Sequence, residues 1–207
     1  SNCRIEACGD TGKPAIYINS TGGAHIVQQF SFANMRIESN YNDDFLAVDS
    51  NAVNVRIDSV GCESMTEDAD CPDHCESNQI HVHNEGEKTL ITNSHFNKTQ
   101  NKSIHSTGAY FILDSCDFSG NPYDDAPVSE NIRIHVTGAH SILSNLTIQG
   151  GTGKVTEVDL SGDYSEFTNS TIRNGARMAV SGGSHILLEG LSLYDSYTTE
   201  NAVIYVN

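Results

Sequence analysis

The chain has 207 residues, 37% of them hydrophobic and 18% charged, with 17 glycines. That is one domain's worth of chain, and its mixture excludes collagen-like and wholly disordered classes. With 27 acidic against 11 basic residues the formal net charge is −16, which repels a phosphate backbone, so no nucleic-acid partner is expected. No stretch approaches the ~18 consecutive apolar residues of a membrane span, and the opening at Ser1, with neither Met nor an apolar leader, reads as a mature soluble segment.

In chain order, a short alternating piece, CRIEAC, precedes the segment AIYINSTGGAHIVQQFSF (15–32), which sets a pattern that recurs to the end. The segment FLAVDSNAVNVRIDSV (45–60) follows it loosely, and IHVHNEGEKTLITNSHFNKT (80–99), KSIHSTGAYFILDSCDFSGN (102–121), NIRIHVTGAHSILSNLTIQG (131–150), VTEVDLSGDYSEFTNSTIRNG (155–175) and MAVSGGSHILLEGLSLYDS (178–196) follow it closely. Each reads as an alternating strand, a Gly turn, a second short strand, a one-residue polar corner and a third strand. Gly86, Gly108, Gly138, Gly162 and Gly182 mark the turns at spacings of 22, 30, 24 and 20 residues. Nothing has helical period. An internal repeat of this length with three strands per unit predicts an all-β, single-domain, right-handed parallel β-helix spanning 1–207, with about seven to eight coils of three short strands. At ~4.8 Å per coil the rod is roughly 34 Å long.

The corner falls at Gln29, Asn93, Ser115, Asn145, Asn169 and Gly190, where the backbone is expected to pass through the left-handed region that Asn and Gly tolerate. Five glycosylation triplets begin at Asn19, Asn97, Asn101, Asn145 and Asn169. Chance supplies about as many at this composition, so they are no evidence of glycosylation; the last two serve as corners, and Asn97 and Asn101, on a connector, are the remaining candidate acceptors. Long connectors are expected at 33–45, 61–79 and 119–131, all acidic. The six cysteines are Cys3, Cys8, Cys62, Cys71, Cys75 and Cys116. Cys62, Cys71 and Cys75 crowd one acidic connector at a spacing that fits no zinc finger, so a disulfide-clamped loop and a secreted, extracellular or cell-surface protein are expected. Cys116 stands where sister segments place Leu, which also suits a buried thiol.

Matching repeats at the Gly turn aligns two outward columns on the first strand. One runs Tyr17, His81, Ser103, Arg133, Glu157, Arg177; the other runs Asn19, His83, His105, His135, Asp159, Ala179. The His83, His105, His135 and Asp159 set is the candidate metal site, suited to zinc or copper, although a solvated stacking ladder is the favoured reading of the column. Like charges in that ladder are expected to depress all three imidazole pKa values. A further column at the turn, His25, Tyr110, His140, Tyr164 and His185, is expected to be packing. The carboxylate-rich connectors suit weak calcium sites, with no cofactor required.

The short-coiled repeat resembles the right-handed parallel β-helix superfamily of pectate lyases and polygalacturonases, and the NosD-like repeat. The resemblance implies a substrate groove along the outer face of the first strand. Polygalacturonase-like enzymes carry Asn-Thr-Asp, Asp-Asp, Gly-His and Arg-Ile-Lys on neighbouring coils. This chain has no Asn-Thr-Asp or Gly-His, and its Arg-Ile pairs never continue to Lys. A lyase-like site would be assembled from His105, His135, Asp159, Glu157 and Arg133, with Arg133 as base. Catalysis is the less favoured expectation, and a carbohydrate-active β-helix acting on polysaccharide is the alternative. The favoured one is a non-catalytic structural protein whose partner is itself. The closing AVIYVN repeats the first-strand pattern of PAIYIN, so Val203, Ile204 and Val206 of one copy are expected to continue onto Ile5, Ile16 and Ile18 of the next, as a head-to-tail filament, sheath or surface layer.

Overall fold

The computed structural model describes residues 3–6, 14–19, 30–38, 44–63, 80–97, 102–119, 132–149, 156–173, 178–194 and 204–206. Within them every regular element is a strand and every strand pairing is parallel. The arrangement is all-β, forms no closed barrel and is compatible with a parallel β-helix-like solenoid.

The first strands of successive repeats form one sheet of eight, in the order β2 (Ile16–Ile18), β4 (Asp44–Val48), β6 (Ile80–Asn84), β9 (Lys102–Ser106), β12 (Ile132–Val136), β15 (Thr156–Leu160), β18 (Met178–Val180) and β21 (Ile204–Val206). The second and third strands share a second sheet that forks. Its stem is β3 (Phe30–Glu38) on β5 (Val55–Glu63), two nine-residue strands that run through a corner without breaking, and β1 (Cys3–Glu6) lies on the second half of β3. Beyond β5 one branch holds β7 (Leu90–Thr92), β10 (Ile112–Asp114), β13 (Ile142–Ser144), β16 (Glu166–Thr168) and β19 (Leu187–Glu189). The other holds β8 (His95–Asn97), β11 (Asp117–Ser119), β14 (Thr147–Gln149), β17 (Thr171–Arg173) and β20 (Ser192–Tyr194). β1 is therefore a third-position strand and β21 a first-position strand, as the alternation at the two ends predicts.

In-register stacking turns each inward position into a buried column. Ile57, Ile91, Leu113, Leu143 and Phe167 form one, and Ile37, Cys62, Phe96, Phe118, Ile148 and Ile172 another, all with at most 1% of their surface exposed. Each such side chain contributes about 2 kcal/mol by leaving water. Phe96 and Phe118 stack face to face with centroids 5.0 Å apart. In the last rung the same positions are Leu188 and Leu193, and both are only half-buried.

The corners are left-handed as expected: Asn93, Ser115, Asn145 and Asn169 have φ of 50° to 54°, and Gly190 has 64°. Side chains reinforce them, since Asn145 Nδ2 and Ser144 Oγ both donate to Asp114 Oδ1, each at 2.7 Å. The first repeat corrects the sequence reading, because its corner is Asn34, φ 56°, opposite Ser59, φ 55°. Gln29 lies outside the described residues. The connectors are shorter than expected for a related reason: 33–38, Asp44, 61–63 and Ser119 belong to strands. Asn97, read as a connector residue, ends a strand and donates to Glu63.

At the turns, the glycines are selected by close approach. A Cβ on Gly108 or Gly138 would sit 2.0 Å from the carbonyl oxygen of the glycine one rung earlier. The left-handed residue comes two positions later and is not glycine: Lys88, Tyr110, His140 and Tyr164 all have φ between 55° and 58°. The last turn carries one extra residue. Gly182 is roomy, and Gly183, φ +77°, is the one that approaches the rung above.

Candidate functional site

The outer face of the first-strand sheet carries the histidine column. Strand pairing sets His83 beside His105, His105 beside His135, and His135 beside Asp159, because side chains at one register position of a parallel sheet repeat at the inter-strand spacing. The rings stack with centroids 5.0 and 5.1 Å apart and planes 14° and 2° from parallel. Above His83 the column continues to Ala47 and Tyr17, and below Asp159 to Ala179. Asn19 is therefore not a member; it follows β2 rather than lying in it, and the register puts Tyr17 there instead.

Carboxylates close both ends of the imidazole stack. His83 Nδ1 donates to Asp44 Oδ2 at 3.1 Å, and its Nε2 lies 3.8 Å from Glu85 Oε1. His135 Nε2 lies 3.6 Å from Asp159 Oδ2. Asp44 had been read as a connector acid; lying in β4, it reaches His83 of the next rung. The three rings titrate differently. The hydrogen bond to Asp44 raises the His83 pKa. Burial, followed by the neighbouring imidazoles, brings His105 down to about 4. Burial also lowers His135, with the Asp159 charge opposing. The expected depression thus appears at two rings but not at His83, and desolvation rather than like charge leads it. Near neutral pH His105 is an uncharged ring.

The other first-strand column is not outward. His81, Ser103 and Arg133 are buried, along with Phe45, because alternation breaks where the chain enters the first strand. His81 packs against Phe45 with centroids 4.9 Å apart and against Phe96 at 6.1 Å, and burial drives its pKa down to about 3. Arg133 Nη1 donates to the Gln149 carbonyl at 2.7 Å. An arginine so placed is unavailable as a base or anion clamp on the outer face, which removes it from the lyase-like set. Glu157 belongs to β15, but its side chain lies outside the described residues, as does Arg177.

Among the described residues no three His, Cys, Asp or Glu side chains converge as a metal cage. Parallel rings 5 Å apart direct their nitrogens sideways, one rung from each other, which is the ladder geometry. The turn column is an exposed ridge in which Tyr110, His140, Tyr164 and His185 stack at 4.9, 5.3 and 4.7 Å. Their faces cover one another and only edges meet water; His25 lies outside the described residues.

Cys62 departs from the disulfide reading, and Cys116 takes the buried-thiol one. Cys62 and Cys116 are free, buried thiols; burial pushes the Cys62 pKa far up and that of Cys116 to about 12, so neither is a ready thiolate. Cys62 points inward on β5, between Ile37 and Phe96, which is why it does not join the connector. Cys8, Cys71 and Cys75, and the side chain of Cys3, lie outside the described residues. At the ends, Ile16 and Ile18 pair with Leu46 and Val48, Ile5 with Ile37, and Ile204 and Val206 with Met178 and Val180. Val203 lies outside the described residues. No helix among the described residues is long and apolar enough to cross a membrane. Comparison with protein-family models, with curated proteins and with solved structures gives no match.

Proposed function

We propose that the chain is a non-catalytic, extracellular structural protein: a single-domain, right-handed parallel β-helix of about seven to eight coils whose copies add head to tail into a filament, sheath or surface layer. The observation that carries this reading is the last rung. Ile204 is 39% exposed, and Leu188 and Leu193 are half-open, where their counterparts one rung earlier, Met178, Phe167 and Ile172, are sealed. Among the described residues, moreover, the outermost first strands β2 and β21 each pair on one side only. The side of each strand that pairs with no described residue, together with the apolar rung, suits another parallel strand at the same spacing, such as a second copy would supply. A heterologous contact of this kind propagates. The acidic charge of −16 keeps lateral surfaces apart, which favours end-on contact. No cofactor is required, and calcium or another divalent cation on the acidic connectors would serve only to tie them down.

The test is assembly of Ile204→Pro. Proline removes a ladder donor from β21 while leaving the sheets behind it intact. The parent is expected to form rods or layers by electron microscopy and sedimentation as concentration rises, and the variant to stay monomeric. A parent that remains monomeric, or a variant that assembles equally, refutes the proposal. The half-exposed line of His105 and His135 beside Asp159 favours a second reading, a carbohydrate-active face; affinity electrophoresis in polysaccharide gels, with retardation lost in His135→Gln, would support it.

A further inference from the structure

Asp159 presents an unusual carboxylate. Its side chain is only 9% exposed, its Oδ1 is buried without a hydrogen-bond partner, and its Oδ2 faces His135 Nε2 across 3.6 Å. A buried carboxylate oxygen with no partner is costly. The gap to Nε2 exceeds the 2.7–3.2 Å of a direct N–H···O bond. It matches the span between a nitrogen and an oxygen ligand of one first-row ion, each at ~2.0–2.2 Å and so roughly 3.4–3.6 Å from one another. We infer that His135 Nε2 and the Asp159 carboxylate bind a divalent ion of the zinc or copper class, with water completing its coordination.

The neighbours suit that role. The next rung carries Ala179 at the same register, so the column narrows to a methyl group beside Asp159. His105 lies parallel to His135 at 2° and fixes the ring plane while its own nitrogens stay one rung away. His83 is excluded because it lies two rungs from His135, with His105 between them. An imidazole with a carboxylate selects zinc or copper over calcium, which prefers an all-oxygen shell.

The test is titration of the full chain, without an affinity tag, with Zn²⁺ alone and then Cu²⁺ alone, by calorimetry at neutral pH. One ion per chain is expected, with affinity about tenfold or more weaker in Asp159→Asn and in His135→Gln and changed less than about twofold in His83→Gln. Circular dichroism establishes that each variant is folded. Should Asp159→Asn fail to fold, the copper-loaded parent still decides, since its electron paramagnetic resonance spectrum must show nitrogen coupling that His135→Gln removes. Absence of binding to either ion, full binding by Asp159→Asn, or loss in His83→Gln overturns the assignment. None of these outcomes bears on assembly, which is read separately.

Discussion

Adding one methyl group to the stacked glycines should be among the most damaging small changes in the molecule. In Gly138→Ala the new Cβ would lie 2.0 Å from Gly108 O, 2.6 Å from its carbonyl carbon and 3.1 Å from Thr107 O, all backbone atoms. A relaxed carbon–oxygen contact is ~3.3 Å, so the two rungs must part locally by about 1.3 Å. They are held together by Thr137 N donating to Ser106 O at 2.8 Å, and the rung above is tied in the same way by Thr107 N to Asn84 O at 2.8 Å. Relief therefore costs one or two ladder bonds at about 1 kcal/mol each on top of ~1–3 kcal/mol of overpacking, or roughly 2–5 kcal/mol together. In a chain of this size that lowers the thermal midpoint by roughly 4–20 °C. Gly182→Ala is the matched control. Its Cβ would meet Ser161 Cβ at 3.5 Å and Ser161 O at 3.9 Å, both ordinary contacts, and the lost freedom of the unfolded chain adds about 0.4–1 kcal/mol of stability. Thermal unfolding followed by circular dichroism measures both. If the two variants melt together, the rungs separate freely and close glycine approach does not hold the turn.

Three further outcomes follow from the same geometry. Asn145→Ala should cost about 1–2 kcal/mol in urea unfolding, through the left-handed corner and the bond to Asp114, while Asn145→Gly should recover the conformational part alone; equal losses would contradict this division. His105 at about 4 and His81 at about 3 both lie below the unfolded ~6.5, so the unfolded chain binds more protons and stability should fall as pH drops from ~6.5 toward those values. His83, raised by Asp44, opposes them with stability that is full below ~6.5 and lost as pH rises through its folded value. His105→Gln and His81→Phe should each flatten the measured fall, and an unchanged profile in both would refute the account. Cys62 and Cys116 should resist a thiol reagent in the native chain and react on denaturation; labelling of either followed by mass spectrometry, if prompt without denaturant, would show that the core opens.

What repeats was legible in the sequence, and what happens once was not. Asn93, Ser115, Asn145 and Asn169 recur at one phase of the repeat, so their corner role could be read by alignment, as could the stacked His83, His105 and His135. The histidine column needed no knowledge of packing because in-register pairing alone sets its spacing. The inward turn of His81, Ser103 and Arg133 was hidden, since strict alternation places them on the outer face and the break lies in the backbone at the entry to the first strand. Polar side chains there gave the opposite signal. Asn34 was missed because the first repeat is longer before its corner, and Gly183 because a single inserted residue leaves the apolar pattern unchanged. Cys62 misled through its neighbours: Cys71 and Cys75 share its connector in sequence, whereas its own pleat points it between Ile37 and Phe96.

The nearest-neighbour character of the stacking also makes the molecule editable by whole turns. Thr107 and Thr137 occupy the same station on successive rungs, their amides donating to Asn84 O and Ser106 O, and Gly108 and Gly138 follow them 30 residues apart. Excising 108–137 would join Thr107 to Gly138 with the backbone in the direction it already has, displaced by one inter-strand step of ~4.8 Å. The loop beyond would descend onto the same kind of surface: Leu143 would meet Ile91 instead of Leu113, Ile148 would meet Phe96 instead of Phe118, and His140 would lie beside Lys88 in place of Tyr110. Length in such a chain is therefore a quantity that recombination can change in units of a turn without designing a new core, because each turn carries its own contribution and asks only that the next one match.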